Sequence, residues 1–354
     1  MTLKSTAGAA LLVAMATQLQ AGSLDRSRLP LDLLFESGNV LQFSANMPMP
    51  DVSSGPLGGT GTVFESYLTT GMAFRTELTD DLAFALFFNR PYGANGFYQN
   101  GPLAGYRIDW ASEELAAVLV YDVTDNLSAY GGVRAVRSEV NLTLPAAIVP
   151  PVGYALNSGG DTGLGYLLGV SYSIPERGAR VSLTYQSAVS HSFDSTEFGT
   201  TSFGPTEVEL PQSLRFDGEI ALSSNTLLLG SATWSDYSNF DVAAPGFATL
   251  VVPGASVIDY QEDSITASIG LGHSLNDDWS IFGIVDSTFA DSEPTALRPF
   301  DGNRSLTLGA IFARGQFRLT GGARYTSFND ATVLGADFSG DYAITPFLTI
   351  DHFF

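Results

Sequence analysis

Residues 180–193 alternate in character. Val181, Leu183, Tyr185, Val189 and Phe193 fall on one parity, and Arg180, Ser182, Thr184, Gln186, Ser190 and Ser192 on the other. A period of two places successive side chains on opposite faces of a β-strand. Here one face is apolar and the other polar. The pattern recurs with Leu214, Phe216 and Ile220 against Arg215, Asp217 and Glu219, and with Ile265, Ile269 and Leu271 against Ser264, Thr266 and Ser268. Such strands separate hydrocarbon from water and predict a transmembrane antiparallel β-barrel with a polar lumen. Runs of this kind span 39–47, 63–78, 82–90, 106–122, 126–144, 161–174, 179–193, 206–222, 226–241, 257–275, 279–290, 303–313, 317–328 and 341–354, which makes fourteen strands. Short turns rich in Asp, Asn, Gly and Pro alternate with long connections near 46–62, 91–106, 144–159, 193–206, 242–256, 290–302 and 329–341. The even count predicts both chain ends on the periplasmic side.

The first segment has a different character. Lys4, the apolar run 9–16 and Leu19-Gln20-Ala21 read as a secretory signal covering 1–21. Residues 22–38 then mix Leu24, Leu29, Leu31, Leu33, Leu34 and Phe35 with charges, too apolar for a loose tail and too short for a domain. They predict a short plug inside a barrel of residues 39–354, with Leu33, Leu34 and Phe35 against its wall. The last strand sets Leu348, Ile350 and Phe354 outward; an aromatic end of this kind is what outer-membrane barrels offer their assembly machinery.

Composition narrows the chemistry. With no Cys there is no disulfide framework and no thiolate, and a net charge of −21 with one lysine argues against a nucleic-acid partner. Acidic loops fit a surface facing outer-membrane lipid, lipopolysaccharide and its divalent cations. His191, His273 and His352 all fall on the outward parity or near a rim, without a serine and an acid in place for catalysis. No metal-ligand spacing appears, and neither an enzyme nor a cofactor is expected.

Several stretches resemble the long-chain fatty-acid transporter family of the bacterial outer membrane, which also contains importers of aromatic hydrocarbons. They are Val208-Glu209-Leu210-Pro211-Gln212-Ser213 followed by Thr233-Trp234-Ser235-Asp236-Tyr237-Ser238-Asn239-Phe240; Thr162-Gly163-Leu164-Gly165-Tyr166 leading to Ser182-Leu183-Thr184-Tyr185-Gln186-Ser187; Asn89-Arg90-Pro91-Tyr92-Gly93; and Asn276-Asp277-Asp278-Trp279-Ser280. The resemblance implies a fourteen-stranded barrel with an N-terminal plug in the outer membrane of a Gram-negative bacterium. It also implies passive import of hydrophobic small molecules, long-chain fatty acids first, by a monomer. The alternatives are a general diffusion porin and a structural or adhesive barrel.

The site candidates follow. Pro91 has no N–H for a ladder and Gly93 favours a break, so the third strand should end or kink at Asn89, Pro91, Tyr92 and Gly93; in the family such a kink opens a lateral gap. Parity places Arg137, Arg180, Arg215, Arg318 and Arg324 in the lumen. Arg137, Arg215, Arg318 and Arg324 are the candidates for a ligand carboxylate, Arg137 foremost. Arg134 has the opposite parity, which a bulge at Gly131-Gly132 could reverse. Phe97, Tyr98, Phe247 and Leu250 beside the long loops are candidates for capturing an apolar ligand.

Overall fold

The computed structural model describes residues 24–55, 59–290 and 294–354; the expected signal segment lies outside them. Among the described residues, fourteen strands form a closed antiparallel wall: β1 Val40–Asn46, β2 Thr69–Thr79, β3 Leu82–Asn89, β4 Arg107–Thr124, β5 Leu127–Leu144, β6 Asp161–Ile174, β7 Ala179–Gln186, β8 Ser213–Ser223, β9 Thr226–Ser235, β10 Ser264–Ser274, β11 Trp279–Ala290, β12 Asn303–Arg314, β13 Phe317–Phe328 and β14 Tyr342–Phe353. Each pairs with its sequence neighbours. β14 closes on β1 from Val40↔Phe353 to Asn46↔Phe347, so the sheet has no terminal edge strand.

The outward face carries the apolar belt. Leu115, Leu119, Leu168, Val170, Leu183, Phe216, Ile269 and Leu308 all lie exposed on it. Inward positions on β8 to β13 include hydroxyls bonded to one another, as in Ser231–Ser268, Thr266–Thr288 and Ser305–Thr326, and nearer the periplasmic side an apolar cluster of Leu227, Leu229, Phe282, Ile284 and Ile311 with Phe347.

Five predicted strands are markedly shorter than their runs: β2 starts at Thr69 rather than at 63, and four more shorten on the external side. β7 to β10 leave the wall after Gln186, before Ser213, after Ser235 and before Ser264, and the remainders pair as a separate sheet of Val189–Phe193, Thr206–Leu210, Asp241–Ala243 and Ile258–Asp259. Pro211, unable to donate to a ladder, marks one departure. The inner face of this sheet, with Val189, Phe193, Val208, Leu210, Val242 and Ile258, joins Tyr98, Trp110, Phe240, Phe300 and Phe338 in one apolar core that fills the external half of the molecule.

That core reverses the parity rule. Below the outer interface the outward face is apolar on every strand, even where the plug and a smaller cluster make part of the inward face apolar too. Above it, the strands stand in water outside and in the core inside. β4 shows the switch: its outward residues run Tyr121, Leu119, Ala117 and Leu115, then Glu113, Asp109 and Arg107, while Trp110 and Ile108 face inward, fully buried. β5 does the same, so Arg137 lies exposed on the outer face and Arg134 is 2 % exposed inside, both opposite to expectation. No bulge is involved. The register is unbroken at Val118↔Gly132 and Leu119↔Gly131, and a Cβ on Gly132 would stand 2.2 Å from Ala117 O, so this glycine permits a close strand approach. His191 is likewise buried, not outward, with Nδ1 2.9 Å from Asp161 Oδ2.

The first and last external connections meet where Ser53 N–H donates to Asp341 Oδ1 at 2.9 Å. Burial, and then the nearby Asp51 and Asp330, push the Asp341 carboxyl up to about 6. The folded state therefore favours the protonated form. Asp341's contribution to stability is complete below the ordinary carboxylate pKa and is lost as pH rises through about 6. Asp341→Asn keeps the acceptor for Ser53 and removes the charge. Its melting temperature should exceed the wild type's at pH 7.5, with the difference shrinking at pH 5; an equal difference at both pH values would refute this origin.

Candidate functional site: a break in the wall and its seal

β3 follows β4 in register to Asn89↔Glu114, and the chain pairs with β4 again from Gly93↔Ala111 as Gly93–Phe97. Three residues, Arg90, Pro91 and Tyr92, thus oppose two, Ser112 and Glu113, which is a β-bulge. The Ser112 hydroxyl replaces the missing ladder: it accepts from Tyr92 N–H at 2.8 Å and donates to Tyr92 O at 2.7 Å. On the other side, β2 accompanies β3 only as far as Met72↔Phe88. Residues 69–71 of β2 pair with β1 and have no strand partner towards β3.

The N-terminal segment occupies this vacancy. Asp25 forms an antiparallel bridge with Tyr92; Arg26 N–H donates to Pro91 O at 2.7 Å and Gly93 N–H to Leu24 O at 2.8 Å. Ser27 hydrogen-bonds the Asn89 side chain and donates to Arg90 O. The Arg26 guanidinium lies 3.9 Å from the Tyr67 ring centroid and covers Gly93, where a Cβ would come within 2.6 Å of its Nε. From there the segment crosses the lumen. Arg28 donates to Thr233 on β9, Leu34 O accepts from Arg75 on β2, Asp32 meets Arg180 on β7 and Glu36 meets Arg318 on β13. Leu29, Leu31, Leu33 and Leu34 are buried against Ala85, Phe87, Ala116, Val118 and Val120; Phe35 is half-buried, edge-on to Tyr130.

Two small cavities flank the segment. One, of about 40 Å³, faces the lumen between Asp25, Tyr92, Glu114, Arg134, Arg215 and Ser235. The other, about 10 Å³, lies in the wall between Asn46, Thr69, Gly71, Met72 and Phe88. Ser27, Arg28 and Asn89 line both and divide them. The first has room for a few waters and neither has room for a fatty acid, so this is a sealed state.

The lumen arginines are engaged. Arg215 bonds Asp217 at 2.8 Å, Arg318 bonds Asp351 and Glu36 at 2.7 Å each, and Arg324 bonds Asp286 and Ser305. Arg134, which parity set aside, bonds Glu114 at 2.6 Å beside the break. The parity argument also missed Ser112, whose position opposite the Pro91 bulge was its only signal. Of the loop candidates, Phe97 and Leu250 are exposed at 39 % and 62 %, whereas Tyr98 and Phe247 are buried. Phe247 lies in the first turn of the short helix Pro245–Leu250, whose first N–H groups are held by the fully buried Glu197: Gly246 N donates at 2.7 Å and Phe247 N at 2.8 Å, and Tyr154 OH also donates to it. Among the described residues no group of three metal-ligating side chains occurs.

Residues 42–283 match the family described as outer membrane protein transport protein (OMPP1/FadL/TodX). The chain belongs to this family. It is a transport protein of the Gram-negative outer membrane, not an enzyme, and it imports hydrophobic compounds. Solved structures of the same architecture include a Pseudomonas aeruginosa FadL homologue, at 15 % identity over 99 % of this chain and 98 % of that one with a TM-score of 0.74. The Pseudomonas putida toluene transporter TodX, at 13 % identity over 96 % and 97 %, scores 0.68. The Ralstonia pickettii toluene transporter TbuX, at 15 % identity over 97 % of each chain, scores 0.66. No protein of curated function matches the sequence.

Proposed function

We propose that this transporter takes up long-chain fatty acids and similar apolar molecules at its external loops and releases them sideways, through the break beside β3, into the bilayer. The observation that carries this reading is the pair of cavities, lumenal and mural, kept apart by Ser27 and Arg28 of a segment that is not part of the wall and is held in the vacancy by non-covalent contacts. When the segment withdraws, the two join into a passage from lumen to lipid. The driving force is transfer of apolar surface to hydrocarbon, roughly 0.8 kcal/mol per CH₂. The N-terminal segment is then a plug as well as a seal, with Leu33, Leu34 and Phe35 holding it in the periplasmic half.

Phe97 and Leu250, the exposed pair, are the first contacts for ligand. Arg215, which lines the lumenal cavity, is the arginine best placed to meet a carboxylate, in exchange for Asp217. A general diffusion porin is disfavoured by the apolar core filling the external half. Cells expressing the protein should take up oleate and toluene faster than control cells and a disaccharide no faster; sugar uptake alone would establish the porin. Cys at position 33 or 34 should react with a thiol reagent at least tenfold more slowly in intact membranes than after denaturation. Equal rates would remove the plug.

A further inference from the structure

We infer that Trp110 and the rings around it form a seat for an apolar ligand bearing one uncharged hydrogen-bond acceptor, such as an ester, a ketone or a protonated carboxyl group. This rests on the import reading above and names the ligand class of that route. Trp110 lies on β4 between two cross-strand neighbours, Ala94 and Val140, and is fully buried. Phe240 packs 5.7 Å from it, and Tyr260 and Tyr237 lie 5.2 and 6.0 Å from Phe240.

Within this apolar setting the Trp110 Nε1–H has no hydrogen-bond partner among the described residues. Of the other two tryptophans, Trp234 donates to Asp263 at 2.8 Å and Trp279 is half-exposed at the rim. The indole N–H can only donate, so what it lacks is an acceptor. Tyr237 OH already donates to Asp25, and neither its oxygen nor that of Tyr260 accepts from the indole N–H. One neutral donor cannot offset desolvation of a carboxylate, and Arg134, Arg215, Arg318 and Arg324 each hold an acid of the protein already. An uncharged oxygen on a greasy ligand fits both limits. The seat is also on the route: Tyr237, in the same ring cluster, donates to the residue that bridges Tyr92 at the break.

The test compares methyl laurate with dodecane. Uptake of the ester should fall about five- to tenfold in Trp110→Phe while dodecane uptake stays within twofold, the loss expected for one neutral hydrogen bond. An equal fall for both probes, or no fall, overturns the seat. If neither probe enters wild-type cells faster than control cells, the import reading fails and takes the seat with it. In a Trp234→Phe/Trp279→Phe chain, where Trp110 is the one remaining tryptophan, methyl laurate should shift the emission to the red and dodecane should not. Absence of that difference overturns the seat independently of any Trp110 variant.

Discussion

Deleting Pro91 should close the proposed lateral route. The bulge sets three residues against two between Asn89↔Glu114 and Gly93↔Ala111, so removing one makes the ladder continuous. Arg90 and Tyr92 would then face Glu113 and Ser112, with two N–H groups and two carbonyls available for regular bonds. The Ser112 hydroxyl would be released, and the backbone carbonyl that Arg26 uses would be gone. Oleate uptake is expected to fall tenfold or more in cells. The purified barrel should meanwhile melt at the same temperature or higher, because a regular strand replaces an irregular one. Unchanged uptake in a correctly folded deletion variant would mean that ligand leaves along the lumen, and the lateral proposal would fail.

Removing residues 24–35 should have the opposite sign. Leu24, Leu29, Leu31, Leu33 and Leu34 are each at most 3 % exposed. Burial of a leucine is worth about 1.5–3 kcal/mol, so on the order of 10 kcal/mol of apolar contact disappears. Arg180 loses Asp32 but keeps Glu219. The wall itself depends on strand pairing, including β14 on β1, and should persist with a lower melting temperature. What changes is the lumen. Single-channel conductance in planar bilayers should rise from near zero to steady open levels, and cells should become sensitive to hydrophilic antibiotics too large for general porins. A silent channel in the truncated protein would show that the external apolar core alone seals the barrel, and that the segment is not a plug.

The wall was legible from the sequence because a closed barrel in lipid imposes one repeated demand, an apolar outward face, on every strand at bilayer depth. β6, β11 and β13 match their predicted runs residue for residue. The same rule misplaced Arg137 and His191 because it changes sign at the outer interface, and Arg134, just below it, because Val136, Val140 and Leu142 above the interface dominate the apolar parity of β5. Above Leu115 on β4 and Ala135 on β5 the water is outside and the hydrocarbon-like phase is the protein's own core. Alternation alone carries no mark of that height. The break at Pro91 was visible in residue types. The role of Ser112, and the partnership of Leu24 and Arg26 with a strand nearly seventy residues away, depend on long-range register that no local pattern encodes.

The seal and the wall are one polypeptide. Residues that bond to the break are joined to β1 by the stretch 29–39, which begins buried and ends at the barrel rim. If residues 24–27 withdraw as proposed, they search only the small volume their tether allows, equivalent to a concentration in the millimolar range for a short linker. Reclosure would then be first order. It proceeds at the same rate whether the membrane holds one copy or thousands, and a free peptide of the same sequence could hold the passage open only at comparable millimolar levels.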